Sequence, residues 1–212
     1  MRHPLSAATL LAVVMSSATT AVAQSPVSTI NTAFERAATA RNSKKINERY
    51  DPVFRKYTKR YFGPAFDWKY FKAQGFAESG LDSSAKSWVG ARGVMQLMPS
   101  TYREIASKRP DFGTIDQPEW NIAAGIMHDR YLWTLYQKDI SDDERHRFMF
   151  ASYNAGEGTI NRAISIARGK GDPPVWSSVE QIAPTVGRWR YTETLGYVRR
   201  IDSTYARIRT FP

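Results

Sequence analysis

The chain has 212 residues and no cysteine, which excludes both a disulfide framework and a zinc site built on thiolates. Hydrophobic residues make up 42% of the chain and aromatic residues 13%, a composition typical of a globular domain rather than of a disordered or fibrous protein. The formal net charge of +10 favours an anionic partner or surface, with a contribution to solubility alone as an equal alternative.

The first 23 residues have the pattern of a secretory signal peptide. Arg2 and His3 precede an apolar run at residues 10–15, and small residues occupy positions 21–23. The run is too short to span a bilayer, so we expect cleavage before Gln24 and no transmembrane anchor. Lipid attachment would need a cysteine at the cleavage site, so we do not expect a lipoprotein.

Two regions follow the predicted cleavage site. Residues 24–48 have a thin apolar stripe, and we interpret them as an N-terminal arm or linker. Residues 49–212 form the predicted main domain, whose first helix ends at Gly63 and Pro64. The apolar side chains that repeat at helical spacing along that helix are predicted to face the core: Val53, Phe54, Tyr57, Tyr61 and Phe62.

A second helix, predicted for residues 68–77, leads to a carboxyl group in an unusual place. Asp67 is predicted to cap the helix, Gly75 to permit a close contact, and Gly80 to end it. Glu78 follows at the C-terminal end, where apolar neighbours remove water and the helix carbonyls repel a negative charge. Both effects raise the pKa of Glu78, and a glutamate protonated near neutral pH suits general acid catalysis. The alternative is a glutamate that faces water.

A loop is predicted next, over residues 81–99. This segment is rich in Ser and Gly and has few side chains that could be buried. Gly90 and Gly93 would let the backbone turn tightly or approach a ligand closely. We therefore expect an irregular, functional loop between two helices.

Helices account for most of the remaining chain. They are predicted for residues 100–107, 121–138, 157–168 and 192–208, and for a segment that leads into Tyr153. Ser141 and Glu144 have the spacing of a capping box at the start of that segment. In residues 121–138 the predicted inward side chains are Ile122, Ile126, Leu132, Leu135 and Tyr136. No alternating strand of any length occurs, so we predict an all-α domain.

Four short motifs occur in a fixed order at residues 76–80, 87–99, 151–156 and 193–198. They contain a Glu-Ser pair, a Gly-Val-Met-Gln loop, a Ser-Tyr-Asn segment and a Glu-Thr-x-x-Tyr-Val segment. Together they resemble the soluble-type lytic murein transglycosylases of glycoside hydrolase family twenty-three, which implies a goose-type lysozyme fold. The departures are small: Val94 replaces a usual Leu, and Ser152 precedes Tyr153 where Ala is common.

The resemblance implies a reaction without a metal or a cofactor, on the glycan strands of periplasmic peptidoglycan. Glu78 would protonate the oxygen that links N-acetylmuramic acid to N-acetylglucosamine. The substrate's own acetamido carbonyl would meet the charge at the anomeric carbon, as in other substrate-assisted glycosidases. Glu78 would then take the proton of the C6 hydroxyl, and a 1,6-anhydro ring would close. Residues 49–212 would thus be the catalytic domain.

The resemblance also assigns substrate contacts. Ser87, Gln96 and Met98 would contact saccharide and peptide along the cleft. Tyr153 and Asn154 would hold the glutamate and the muramic sugar, because a phenol and an amide can hydrogen-bond both groups. A plain loop-stabilising role is the alternative for Gln96.

Two residues near the C-terminus would contact the sugar on the other side of the bond. These are Glu193 and Tyr197, which lie one helical turn apart. Core packing is the alternative for Tyr197, and Glu193 could instead be a surface residue favoured by the helix dipole.

Other classes of function have less support in the sequence. His128 and His146 fall on separate predicted helices, so no metal site is predicted. Export and the lack of a recognised motif argue against nucleic acid as the partner, whereas the positive charge suits a loose association with an anionic wall or membrane surface.

The closest alternative is a goose-type muramidase that hydrolyses the same bond. It would need a carboxylate to activate water, and Asp82 is the nearby candidate.

Overall fold

The computed structural model describes residues 48–209. The predicted signal peptide and almost all of the predicted arm lie outside the described residues. Eight α-helices and one short 3-10 helix form the described part: α1 (Asp51–Phe62), α2 (Lys69–Ser79), α3 (Pro99–Ser107), α4 (Pro118–Leu135), α5 (Asp142–Ala155), α6 (Glu157–Gly169), α7 (Trp176–Ile182), the 3-10 helix (Ala183–Thr185) and α8 (Tyr191–Ile208). Residues 48–209 contain no strand, only two isolated bridges within the loop after α2. The predicted all-α class is confirmed.

Helix α2 contains five consecutive buried residues, 71–75. It contacts α8 and α1, while α5 contacts α4, α6 and α8. Phe71 and Ala73 of α2 are fully buried. Gly75 is needed for this packing, because a Cβ atom there would lie 2.9 Å from Leu81 Cδ2 and 3.2 Å from Phe54 Cζ. The close contact predicted at Gly75 is confirmed.

Both ends of α2 are fixed by local hydrogen bonds. Asp67 Oδ1 accepts the backbone N–H of Lys69 at 3.0 Å, and its other oxygen accepts the Tyr205 hydroxyl of α8 at 3.0 Å. Gly80 adopts a left-handed conformation with φ of 67°, and its N–H and that of Leu81 bond back to the last turn of the helix. The predicted stop at Gly80 is confirmed, and it fixes the position at which α2 presents its last residues.

The loop between α2 and α3 is more deeply buried than predicted. The expectation that it has few buried side chains is wrong, since five of its apolar residues are buried: Leu81, Ala91, Val94, Met95 and Leu97. The segment has neither helical nor strand periodicity, so its sequence pattern did not indicate which side chains face inward. The loop is therefore part of the core as well as part of the surface.

Two predictions about the middle of the chain are also wrong. Leu135 is 37% exposed, because α4 ends there and its last turn no longer faces the core. Ser141 makes no side-chain cap, and Glu144 instead accepts the backbone N–H of Trp176 at 2.8 Å. Glu144 thus caps the start of α7, a short helix that the sequence analysis did not predict.

Candidate active site

Glu78 lies in the last turn of α2 and is half-buried. The hydroxyl of Tyr197, a buried residue of α8, donates a hydrogen bond of 2.5 Å to Glu78 Oε1. Burial raises the pKa of Glu78 to about 7, against the opposing effects of the Tyr197 hydrogen bond and the positive charge of Arg200. The predicted rise in pKa is confirmed, and Glu78 can be protonated or ionised near neutral pH.

Tyr197 is the direct partner of Glu78, a contact that the sequence analysis did not predict. Burial and the neighbouring Glu78 carboxyl raise the pKa of Tyr197 well above its ordinary value, so it remains a hydrogen-bond donor. Its aromatic ring lies in the core, as the packing alternative required, while its hydroxyl reaches the catalytic candidate. Tyr197 therefore packs in the core and holds the Glu78 carboxyl, and its contact with the sugar stays a prediction.

Tyr153 holds the loop rather than the glutamate. Its hydroxyl donates to the backbone oxygen of Met95 at 2.8 Å, and residues 48–209 show no hydrogen bond from it to Glu78. Burial and then the Glu78 and Asp129 carboxyls raise the pKa of Tyr153 well above its ordinary value, which places the phenol close to both acids. In the described residues Tyr153 therefore bonds to the loop and not, as predicted, to Glu78 itself.

The loop over residues 81–98 is fixed against Glu78 by its neighbour Ser79. Ser79 Oγ donates a hydrogen bond of 2.8 Å to the backbone oxygen of Val94. The Glu-Ser pair of the first motif thus has a divided role. Glu78 is the candidate acid, and Ser79 attaches the second motif to the helix that carries both residues.

Asn121, at the buried face of α4, anchors the same loop from the other side. Its Oδ1 accepts the Met95 N–H at 2.8 Å, and its Nδ2 donates to the backbone oxygens of Arg92 (2.9 Å) and Ile115 (3.1 Å). Gly93 is needed here, because its φ is 75° and a Cβ atom would lie 2.6 Å from Asn121 Nδ2. The sequence analysis predicted Asn121 only as the start of a helix.

The side chains of Gln96 and Ser87 stabilise the loop itself. Gln96 has a positive φ of 44°, and its amide donates to the backbone oxygens of Ala85 (3.2 Å) and Gly93 (3.0 Å). Ser87 Oγ accepts the Ala91 N–H at 3.0 Å. The loop-stabilising alternative for Gln96 is therefore present in the structure, and Ser87 makes an equivalent contact.

Hydrophobic side chains are exposed beside these loop contacts. Trp88, at the tip of the turn that Ser87 closes, is 92% exposed, and Met98 at the end of the loop is 39% exposed. Met98 precedes the first residue of α3. Of the three predicted cleft contacts in this loop, Met98 is the one that presents an exposed side chain.

Asn154 and Glu193 line one cavity of about 220 Å³, together with Arg188, Trp189 and Arg190. Glu193 Oε2 lies 3.0 Å from a guanidinium nitrogen of Arg190. Glu193 precedes Tyr197 by one turn of α8, so their side chains share a face of that helix. The structure thus brings Glu193 and Asn154 together in one cavity, and their contacts with the sugars stay predictions.

A chain of hydrogen bonds orients the amide of Asn154. Trp189 Nε1 donates to Thr194 Oγ1 at 3.0 Å, and Thr194 Oγ1 donates to Asn154 Oδ1 at 2.9 Å. Because the oxygen of this exposed amide already accepts a hydrogen bond, its Nδ2 group remains available as a donor. The sequence analysis identified Asn154 but not Thr194, which is buried.

The remaining candidates of the sequence analysis do not converge on Glu78. In residues 48–209 no three His, Asp or Glu side chains are grouped as a metal site would require. Asp82 is exposed, and one of its oxygens accepts the N–H and the hydroxyl of Ser84. These bonds lower the pKa of Asp82. Across the described residues, no helix has the length and apolar character needed to cross a membrane.

Known proteins similar to this chain carry the same kind of domain. Membrane-bound lytic murein transglycosylase F of Vibrio cholerae is 34% identical over 155 residues, which cover 71% of this chain and 27% of the relative. The protein of that name from Desulfosudis oleivorans is 34% identical over 173 residues, which cover 74% of this chain and 36% of the relative. The chain therefore spans only about a third of these relatives.

Solved structures and a family match give the same result. A 70-kDa soluble lytic transglycosylase in complex with bulgecin A aligns with 78% of this chain and 25% of its own, at a TM-score of 0.63 and 26% identity. The Escherichia coli 70-kDa soluble lytic transglycosylase aligns with 77% of this chain and 25% of its own, at a TM-score of 0.61 and 24% identity. The chain thus has their all-α, lysozyme-like fold. Because residues 54–174 match the transglycosylase SLT domain, more than half of its length, the chain belongs to the transglycosylase SLT domain family.

Proposed function

We propose that the chain is a peptidoglycan lytic transglycosylase, which cleaves the bond from N-acetylmuramic acid to N-acetylglucosamine and leaves 1,6-anhydromuramic ends. The observation that carries this proposal is the state of Glu78. Its carboxyl is half-buried, hydrogen-bonded to Tyr197 and has a pKa of about 7. Membership of the family, whose relatives are named lytic murein transglycosylases, supports the choice of bond.

One residue can perform both proton transfers of this reaction. Protonated Glu78 gives its proton to the glycosidic oxygen as the bond from that oxygen to the anomeric carbon breaks. The acetamido carbonyl of the muramic sugar stabilises the positive charge on that carbon. Ionised Glu78 then removes the proton of the C6 hydroxyl, whose oxygen bonds to the anomeric carbon. A pKa of about 7 suits both steps, because neither protonation state is costly near neutral pH.

The surrounding residues divide into two groups in this proposal. Tyr197 holds the Glu78 carboxyl, and Asn154 offers its amide hydrogens to the muramic sugar from the cavity that Glu193 also lines. The loop over residues 81–98 is attached beside Glu78 through Ser79, and in this proposal Met98 at its end contacts the substrate. Ser87 and Gln96 act on the substrate through the shape of that loop, which their hydrogen bonds maintain.

The competing reaction is hydrolysis by a goose-type muramidase, which would need a second carboxylate beside an attacking water. Asp82, the candidate for that role, is exposed, and its Oδ1 already accepts two hydrogen bonds from Ser84. The environment of Asp82 therefore favours the transglycosylase reaction.

The products distinguish the two reactions. Purified murein digested by the mature protein in water enriched in heavy oxygen is expected to yield anhydro muropeptides without the heavy label, each one water lighter than the hydrolytic product. Mass spectrometry of the muropeptides makes this measurement. Labelled products with free reducing ends would mean that the enzyme is a muramidase rather than a transglycosylase.

We also infer that the protein works in the periplasm, after removal of residues 1–23. The support is the signal-peptide pattern together with the peptidoglycan substrate proposed above. Protein recovered from the periplasmic fraction is expected to begin at Gln24 on N-terminal sequencing, and an intact Met1 would contradict this. A loose association with the anionic wall or membrane surface follows from the net charge of +10.

A further inference from the structure

A second carboxyl group is buried against Gln74, which lies one helical turn before Glu78. Asp129 of α4 and Gln74 of α2 are both fully buried, and Gln74 precedes Glu78 by four residues on the same helix face. Gln74 Nε2 donates a hydrogen bond of 3.3 Å to Asp129 Oδ1. The other two oxygens of the pair, Gln74 Oε1 and Asp129 Oδ2, are buried and have no hydrogen-bond partner in residues 48–209.

No positive charge compensates Asp129 in the described part of the chain. The titratable groups that act on or share its surroundings are Glu78 on α2, Tyr153 on α5 and Tyr197 on α8. Arg200 acts on Glu78, and the adjacent His128 responds to burial, Glu157 and Glu104 rather than to Asp129. Burial raises the pKa of Asp129 well above its ordinary value, and the charge of Glu78 adds to this rise against the Gln74 hydrogen bond.

We propose that Asp129 is a carboxylic acid that donates its Oδ2 hydrogen to Gln74 Oε1, and that this closed acid–amide pair positions Glu78. One proton satisfies both orphaned oxygens, since the acid becomes a donor where a carboxylate could only accept. The pair then has two hydrogen bonds, from the Gln74 amide to Asp129 and from the acid back to Gln74. It leaves no unpaired charge in the core.

The pair has two consequences for Glu78. It ties the face of α2 that carries Glu78 to α4, so the catalytic carboxyl keeps its orientation. It also keeps a second negative charge away from Glu78, which can therefore ionise when it gives up its proton. Only the effect on catalysis depends on the proposed function. The protonation of Asp129 can be tested on the folded protein alone.

Asp129→Asn tests the protonation state through stability. Asparagine is neutral and can form the same two hydrogen bonds with Gln74. If Asp129 is protonated in the fold, its ionisation in the unfolded chain favours unfolding of the wild type as pH rises above the ordinary aspartate pKa of 3.8. The unfolding constant of the wild type relative to Asp129→Asn is then expected to rise by about tenfold per pH unit above about pH 4, and not below it.

Asp202→Asn is the matched control with the opposite sign. Asp202 is partly buried, but its hydrogen bonds to His146 and Arg147 lower its pKa. Because a lowered pKa leaves Asp202 ionised in the folded and the unfolded chain above about pH 4, Asp202→Asn is expected to be destabilised by a roughly constant amount between pH 4 and pH 8. Urea unfolding of the mature chain between pH 4 and pH 8 measures both variants. A constant or falling stability of Asp129→Asn relative to the wild type over this range would overturn the proposal.

The positioning role needs a kinetic measurement. Asp129→Leu keeps the site neutral but removes the pair, so kcat on purified murein is expected to fall about tenfold or more with little change in KM. Asp129→Asn is expected to restore kcat to within about threefold and to leave the pH at which Glu78 ionises unchanged. Wild-type kcat in folded Asp129→Leu would exclude positioning, and a shift of the Glu78 ionisation to lower pH in Asp129→Asn would show that Asp129 is charged.

Discussion

Replacement of Glu78 by glutamine is expected to abolish cleavage of murein and to leave the fold intact. The amide is nearly isosteric with the carboxyl, and its oxygen can still accept the Tyr197 hydroxyl. It cannot donate a catalytic proton, so the turnover rate should fall by about 100-fold or more. Release of soluble muropeptides from purified murein measures the rate. Retention of the variant on insoluble murein measures binding, which should be unchanged.

The stability of this variant provides an internal check. The pKa of Glu78 is raised from 4.5 to about 7 in the fold, so ionisation in the unfolded chain destabilises the wild type as pH rises between these values. Glu78→Gln should therefore be at least as stable as the wild type at pH 8. Glu104→Gln is the matched control, because Glu104 is exposed in α3 and pairs with Lys108 on the surface. A Glu78→Gln rate above about a tenth of the wild-type rate would contradict the assignment.

Replacement of Asn121 by alanine is expected to cause the largest loss of stability outside the apolar core. It would leave the buried N–H of Met95 and the backbone oxygen of Ile115 without this partner, whereas the Arg92 oxygen would keep the Leu97 N–H at 3.1 Å. Each orphaned group costs about 1–3 kcal/mol, so the free energy of unfolding should fall by about 2 kcal/mol or more. The loop over residues 81–98 would also lose its anchor on α4, and activity should fall at temperatures at which the variant is still folded.

Asn161→Ala is the control for this prediction. Asn161 is exposed on α6, and its substitution should change the free energy of unfolding by less than about 0.5 kcal/mol. Urea unfolding of both variants, with murein digestion at a temperature well below each transition, makes the comparison. An Asn121→Ala variant within about 1 kcal/mol of the wild type would show that the loop is held by its apolar side chains instead.

The sequence alone determined the helical class, the ends of the early helices and the candidate acid. Gly63 and Gly80 predicted the ends of α1 and α2 because positive φ at a helix end is a local property of glycine. Glu78 was predicted to have a raised pKa from its position beside apolar residues at a helix end, which is also local information. The four motifs predicted the family because their order along the chain is visible without coordinates.

Only the tertiary structure decided which groups act on that acid. Tyr197 reaches Glu78 across 119 residues of sequence, and Asn121 and Asp129 come from a helix that the sequence indicated only as amphipathic. Helical periodicity predicts that a side chain faces inward, but it does not predict which partner it meets there. The buried loop, the cap of α7 by Glu144 and the Gln74–Asp129 pair all depend on contacts between segments distant in sequence, which packing fixes and local pattern does not encode.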